Sequence, residues 1–264
     1  MDREQYTEIN ARTIDRWVDE GWEWGVPLTR EAFKKARDGA WEVLLTPEKP
    51  VPRAWFPAFP GKKLLGLACG GGQQMPVFAA QGASCTVLDY SERQLAQERL
   101  VAEREGYGIE IIKADMTKKL PFADGIFDII FHPVSNCYIE DVYHVWNECF
   151  RILKPGGVLM AGMDNGLNFL FDDDSKAPLT VRNKLPFNPL KDESLYKKLR
   201  ENDDGIQFSH SLEEQIGGQI RAGFFLKDLY EDYNNTGVLR EYAPSYLATL
   251  AQKPVDRHSR PAAL

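Results

Sequence analysis

Between Lys62 and Gly162, short apolar runs alternate with helix-compatible segments, and this alternation narrows the possible folds more than any other property of the chain. The runs at 63–68, 84–88, 109–113, 126–131 and 157–162 are largely apolar along their whole length, as expected of central parallel strands covered on both faces. The intervening segments carry helix signals. Ser91 with Gln94 three residues on forms a capping box for a helix running toward Gly106. After Glu140, the residues Val142, Val145, Trp146, Cys149, Phe150 and Leu153 fall on one helical face, and "KPGG" is expected to stop that helix at Pro155. Repeated βα units of this kind predict an open, Rossmann-like, mostly parallel sheet with right-handed crossovers. Two further runs, "FFLKDLYED" and "SYLATLAQK", complete a seven-stranded α/β sheet with helices on both faces.

Outside this core the rhythm changes. Residues 1–60 hold five of the six tryptophans, at 17, 22, 24, 41 and 55, and read as a helical N-terminal cap. Thr29 is an N-cap candidate for a helix carrying Phe33, Ala36 and Ala40 on one face. "PEKPVPRAWFPAFPG" is too rich in proline for a regular helix and reads as an extended connector. Residues 163–211, rich in Asp, Asn and Pro, form an insertion after the fifth strand. A capping box at Ser211 and Glu214 then opens a helix with Leu212, Ile216 and Ile220 on one face, ended by Gly223. The expected division is a cap over 1–60, a main domain over 61–252 containing the 163–211 insertion, and a flexible tail over 253–264.

Composition excludes several functions. The chain of 264 residues is 43% hydrophobic, enough for a sizeable core, and its formal net charge of −7 disfavours a nucleic-acid surface. Four cysteines without CxxC spacing and the lack of a secretory leader point to a reduced, cytoplasmic protein. No run approaches the ~20 apolar residues of a membrane span. The four histidines show no metal-ligand spacing, and "DDDS" at 172–175 reads as a solvated loop, so no metal is expected.

The first strand ends in "LLGLACGGGQQ". Glycines at the carboxyl end of a parallel strand allow a ligand to approach the main chain, and Pro76 suits the first turn of the helix that follows. Asp89, ending the second strand, can accept hydrogen bonds from both hydroxyls of a ribose. The dinucleotide pattern GxGxxG would begin at Gly70 and place Met75 at its third glycine, where a bulky side chain obstructs close helix–strand packing. The phosphate-loop pattern is absent.

With these motifs in this order, residues 62–162 resemble the class I S-adenosylmethionine-dependent methyltransferases, especially the small-molecule branch that includes ubiquinone/menaquinone-biosynthesis enzymes. "LLGLACGGG" resembles their first motif and "VLDYS" the acid after the second strand. "KADMTKKLPFADGIFDIIF" is similar to the signature around the third and fourth strands, and "ECFRILKPGGVLMAG" to the helix–turn–strand closing the core. Two positions depart from the pattern: Gly66 stands where the family usually has an acid, and Ala68 where it has a glycine. The resemblance implies S-adenosylmethionine as cofactor, with contacts from Ala68, Gly70, Gly72, Gln73, Asp89, Tyr90, Ser91, Gln94, Ala114, Asp115, Met116 and His132. Within that set, Asp89 would hold the ribose, Tyr90 would cover one adenine face, and Asp115 would accept from the adenine amino group. Gln73, Gln74 or a residue of the N-terminal cap could stand in for the missing acid. "FHPVSNCYIED" follows the fourth strand, where this fold meets its methyl acceptor; His132, Asn136 and Tyr138 are the catalytic candidates there. The expected partner is a small-molecule methyl acceptor, and the protein is expected to be a monomer or homodimer. A non-catalytic S-adenosylmethionine-binding module and an NAD(P)-dependent oxidoreductase are the alternatives.

Overall fold

The computed structural model describes residues 5–171 and 175–255. Its elements in chain order are α1 (Gln5–Asp19), α2 (Arg30–Arg37), β1 (Lys63–Leu67), α3 (Met75–Ala80), β2 (Ser84–Asp89), α4 (Glu92–Glu105), β3 (Ile109–Lys113), β4 (Phe127–His132), α5 (Val142–Ile152), β5 (Leu153–Asp164), α6 (Glu193–Asn202), α7 (Gly218–Ala222), β6 (Phe225–Asp232) and β7 (Tyr246–Gln252). The sheet has seven strands in the order β3-β2-β1-β4-β5-β7-β6. Within it β1, β2 and β3 pair in parallel, as do β4 and β5, while β7 runs antiparallel to both β5 and β6. No helix of the described residues is long and apolar enough to cross a membrane.

Contacts divide the chain into two compact units. One holds the chain up to Leu44, Pro50–Leu120 and Asn188–Gln207; the other holds Leu45–Lys49, Pro121–Phe187 and the chain from Phe208 on. The units cut across the boundaries expected at 60 and 163, because burial follows side chains rather than chain order. In the first unit, the Asn10 side chain donates to the Ile206 carbonyl at 2.9 Å and accepts from the Ile206 N–H at 2.6 Å. Asp203 accepts from Thr13 and from Arg16, both at 2.6 Å. One end of the insertion thereby belongs with α1.

Local signals set most element ends. Thr29 caps α2 by accepting from the Ala32 N–H, and Phe33 and Ala36 are buried on its inner face. Ala40, expected on that face, is exposed, because α2 ends at Arg37 and the chain turns at Gly39. The proline-rich stretch is not a simple connector: Arg53–Trp55 forms a 3₁₀ turn. Trp41, Phe56, Phe59 and Phe78 pack ring on ring with centroids 5.3–5.8 Å apart. Trp41 and Trp55 are therefore core residues of the first unit.

In the second unit, Asp141 caps α5, which ends at Ile152; Leu153 and Pro155 already belong to β5, so the helix stops before "KPGG". Proline and glycine are accommodated in the irregular start of that strand, where the β4–β5 register shifts. The Ser211–Glu214 box forms, with each residue accepting from the other's N–H, at 3.2 and 2.8 Å. The helix face expected beyond it does not. Leu212 and Ile220 are each 52% exposed, while Gln215, Gly218 and Gln219 face inward. A π-turn at Glu213–Gly217 is the cause, since its extra residue rotates the face presented to the core. Gly218 then lies against Trp146, where a Cβ would stand 2.6 Å from the indole Cδ1. Lys253, expected to begin a flexible tail, is anchored: its ammonium donates to the Phe150 and Leu153 carbonyls at 2.6 and 2.7 Å. Asp172–Asp174 of "DDDS", His258 and residues 256–264 lie outside the described residues.

Candidate functional site

In the first unit, β1 leads into a corner that the chain itself ties down at every step. Ala68 adopts φ +46°, a left-handed conformation more natural to the glycine usual there, and Gly71 and Gly72 follow at φ +95° and +68°. Asp89, at the end of β2, accepts from the Gly70 and Ser91 N–H groups, both at 3.0 Å. Ser91 caps α4 by accepting from the Gln94 N–H at 3.1 Å and donates to Asp15 of α1 at 2.5 Å. The reciprocal half of the expected capping box is absent, because Asp89 already takes the Ser91 N–H. Glu98 of α4, fully buried, accepts from the Gly72 N–H at 2.8 Å.

The glycines answer to protein packing. A Cβ on Gly70 would meet Gln94 Cβ at 2.5 Å and Asp89 Oδ2 at 3.0 Å; on Gly71, the Trp24 carbonyl at 2.5 Å; on Gly72, the Gln97 carbonyl at 2.8 Å. The space expected to admit a ligand at these Cβ positions is thus occupied by α4 and the N-terminal segment. A similar exchange explains the missing acid of the first motif. A Cβ on Gly66 would stand 2.4 Å from Met75 Sδ, and Met75 is completely buried. The obstruction expected from Met75 is relieved because the strand, not the helix, supplies the residue without a side chain. Gly66→Ala is expected to cost about 1–2 kcal/mol by overpacking. Combined with Met75→Ala the two losses should not add, with a coupling of at least ~0.5 kcal/mol in urea denaturation.

Gln73 and Gln74 each commit one end of the side-chain amide to the N-terminal segment. Gln73 Nε2 donates to the Glu23 and Val26 carbonyls at 2.7 and 2.9 Å, and Gln74 Oε1 accepts from the Leu44 N–H at 3.1 Å. Both tie the N-terminal segment to the corner. Gln94 is buried beneath the corner, donating to the Trp24 carbonyl at 3.3 Å, with its Oε1 unpartnered. Beyond β2 and β3 stand the other nucleoside-side residues. Tyr90 is half-buried, with the Lys113 ammonium 5.8 Å from its ring centre. The Ala114 N–H donates to the Asp89 carbonyl at 3.1 Å. Asp115 accepts from the Thr117 N–H at 2.8 Å, and Met116 is buried beside it in sequence.

Burial governs the protonation of the acids. Desolvation raises the Asp89 carboxyl above its ordinary value, against the pull of the Ser91 and Gly70 N–H groups. Glu98 is pushed up to about 8 by burial, with the Gly72 N–H opposing and the Asp89 charge adding to the rise. No sequence signal marked Glu98, which sits among Glu and Arg residues on a charged helix. Its only cue is its distance from Ser91, two turns along the face that Gln94 occupies.

In the second unit, β4 delivers His132 to a buried polar cluster. His132 Nε2 lies 2.8 Å from Asn136 Oδ1, and Ser135 Oγ lies 3.4 Å from Nδ1. Asn136 Nδ2 donates to Gln215 Oε1 at 3.0 Å. His210 Nε2 donates to the Asn136 and Ile139 carbonyls at 3.1 and 3.0 Å, and burial lowers its pKa. Of the three catalytic candidates, His132 and Asn136 are directly bonded to each other. Tyr138 is half-buried in the adjoining 3₁₀ turn, its phenol held well above the ordinary range by desolvation. Asp164, at the end of β5, is a buried acid that pattern reading missed. It accepts from the Gly166 N–H and the Asn168 amide, and burial pushes it up to about 7.

The cysteines offer no nucleophile. All four are unpaired, and burial raises each thiol, Cys85 to about 12, so the reactive thiolate is disfavoured at neutral pH. Among the described residues no group of three or more His, Cys, Asp or Glu could hold a metal ion.

A mostly parallel sheet with a braced glycine corner after β1 and an acid at the end of β2 is a Rossmann-like architecture, a class of fold whose ligands bind at the carboxyl ends of the strands. Comparison with known proteins narrows this. Residues 65–161 match the methyltransferase domain family. Over 248 residues the chain is 44% identical to the uncharacterised methyltransferase YbaJ of Bacillus subtilis, covering 92% of this chain and 97% of that protein. A ubiquinone biosynthesis O-methyltransferase of Pseudomonas aeruginosa is 34% identical over 100 residues, 37% of this chain and 42% of that protein. The crystal structure of an S-adenosylmethionine-dependent methyltransferase from Mesorhizobium loti shares the fold. Its TM-score is 0.61 at 23% identity, covering 76% of this chain and 95% of that one. The chain belongs to the same methyltransferase family as that Bacillus subtilis protein.

Proposed function

We propose that this enzyme methylates a small molecule and that the corner and strand ends of the first unit hold the methyl donor. The observation that carries the donor side is Asp89. Two backbone N–H groups fix its carboxylate at the end of β2, and a carboxylate has about four acceptor positions, which leaves capacity for ribose hydroxyls. Asp115 and the half-buried Tyr90 ring supply the acceptor and the flat face that an adenine needs. This donor set fits a nucleoside without further groups. The charged sulfur of S-adenosylmethionine supplies its own leaving group. The chain's task is therefore alignment and exclusion of water rather than nucleophilic attack, in keeping with its raised thiols.

On the acceptor side, His132, Asn136 and Tyr138 are assigned to orienting the acceptor and its proton. The net charge of −7 and the lack of a basic tract support a small substrate over a nucleic acid. A cytoplasmic monomer or homodimer completes the proposal.

Calorimetry and thermal shift with S-adenosylmethionine, S-adenosylhomocysteine and NADH test the donor side. At about 100 times its dissociation constant a ligand should stabilise the fold by ~2.7 kcal/mol. Stabilisation by the two sulfur nucleotides and not by NADH is expected. Binding of NADH alone would refute the donor assignment. Cofactor binding without transfer of labelled methyl to any component of a cell extract would favour a binding module instead.

A further inference from the structure

The π-turn at Glu213–Gly217 directs a polar side chain to a place that helix periodicity would have filled with an apolar one. Gln215 is 1% exposed, as is Asn136, and His132 is completely buried. A core that needed only stability would be served as well by apolar residues, since a buried amide must find partners merely to offset its lost hydration. The turn is nevertheless held firmly in place. Trp146 Nε1 donates to the Glu214 carbonyl at 3.0 Å, Thr249 donates to Gln219 at 3.0 Å, and the Ser211–Glu214 box closes its start. Together these contacts hold the backbone on either side of Gln215, whose side chain is held by Asn136.

The consequence reaches His132 by way of Asn136. A side-chain amide has one accepting end and one donating end. Asn136 commits its donating end to Gln215 Oε1 at 3.0 Å, which turns its carbonyl oxygen toward His132 Nε2 at 2.8 Å. An acceptor facing Nε2 places the proton of the neutral ring on that nitrogen and the lone pair on Nδ1, from which Ser135 Oγ stands 3.4 Å away while donating its own proton to the Pro133 carbonyl at 3.0 Å. We propose that Gln215 is a positioning residue for methyl transfer, holding His132 through Asn136 in the tautomer protonated at Nε2, with Nδ1 as the proton-accepting atom. The role of this tautomer in transfer rests on the assignment of His132 to the acceptor side. The tautomer itself does not.

The experiment reads both separately. Long-range ¹H–¹⁵N correlation spectra of the ¹⁵N-labelled full-length chain, recorded at about pH 8 where an ordinary imidazole is neutral, report the state of each ring nitrogen. For His132, a protonated-type Nε2 and an unprotonated-type Nδ1 are expected. Gln215→Met keeps the volume and removes the acceptor, so the Asn136 amide is released and the tautomers should mix or invert. Gln215→Glu keeps an acceptor oxygen and should preserve the wild-type pattern. In parallel, label from methyl-tritiated S-adenosylmethionine is followed into a protein-free cell extract as the acceptor source. Gln215→Met should lower turnover at least about tenfold with the KM for S-adenosylmethionine changed less than about twofold, and Gln215→Glu should restore it.

A wild-type His132 protonated at Nδ1, or a Gln215→Met spectrum identical to wild type, would overturn the proposal. If Gln215→Met does not fold, Gln215→Asn, whose shorter side chain draws the acceptor oxygen away from Asn136, is read in its place, and a spectrum identical to wild type would equally overturn the proposal. If the wild type labels nothing, the acceptor-side assignment fails, and the spectra still decide whether Gln215 sets the tautomer.

Discussion

Asp89→Ala weakens binding of S-adenosylmethionine at least about tenfold, a loss of about 1.4 kcal/mol, and also lowers the stability of the ligand-free protein. The two effects share one cause. The carboxylate accepts from the Gly70 and Ser91 N–H groups, so alanine removes the acceptor of two backbone donors as well as the proposed partner of the ribose. Leaving such donors without an acceptor costs about 1–3 kcal/mol. Asp89→Asn separates the roles. Its single carbonyl oxygen can still accept from one of the two N–H groups, which preserves part of the brace, while the charge and half the accepting capacity for hydroxyls are gone. Calorimetric titration of both variants, paired with melting curves without ligand, checks the prediction. Asp89→Ala with unchanged affinity would remove Asp89 from the ribose and leave it as a brace alone.

Glu98→Gln should make the protein more stable at alkaline pH, by on the order of a few kcal/mol at about pH 9. Burial raises the folded-state pKa of Glu98 to about 8 from an ordinary value of 4.5. Between those values the folded chain holds a proton that the unfolded chain has released. The stability linked to that proton is therefore complete below about pH 4.5 and is lost as pH rises through about 8. Glutamine keeps an oxygen for the Gly72 N–H and has no charge to bury, so its slope over this range is absent. Asp164, pushed up to about 7, contributes a slope of the same sign, and the half-buried Asp89, raised by desolvation, adds to it in direction. Both are present in the variant and the wild type. The quantity to measure is thus the difference in unfolding free energy between Glu98→Gln and wild type by urea denaturation from about pH 5 to pH 9. A difference that does not grow with pH would show that Glu98 is ionised in the folded protein. Because Glu98 holds the Gly72 N–H, its ionisation also bears on the corner proposed to hold the donor.

Much of this architecture was legible in the residues. The five parallel strands lie within two residues of their expected starts and ends, apart from β5, which begins four residues early at Leu153. The caps at Thr29, Ser91 and Ser211 form where side-chain oxygens precede apolar periodicity. For the candidate site the residues name a set of positions to be tested. Its wiring was not legible in them. Gln73 and Gln74 looked available for a cofactor and are bound to the carbonyl and N–H groups of the N-terminal segment. Asn136 and His132 looked like two independent groups and form one hydrogen-bonded unit with Gln215, 79 residues away.

The amino-acid order by itself determined the strand–helix alternation, the glycine corner after β1, the acid at the end of β2 and the family. Each depends on residues within one or two turns of one another, where backbone geometry and side-chain periodicity act directly. Only the tertiary structure decided why Gly66 replaces an acid, which buried carboxyl holds Gly72, and which face of the 212–222 helix turns inward. Those outcomes depend on atoms distant in the chain competing for the same few ångströms: Met75 against the strand, Glu98 beneath the corner, and Trp146 against Gly218. Close packing resolves such competition in space, and no local pattern encodes it.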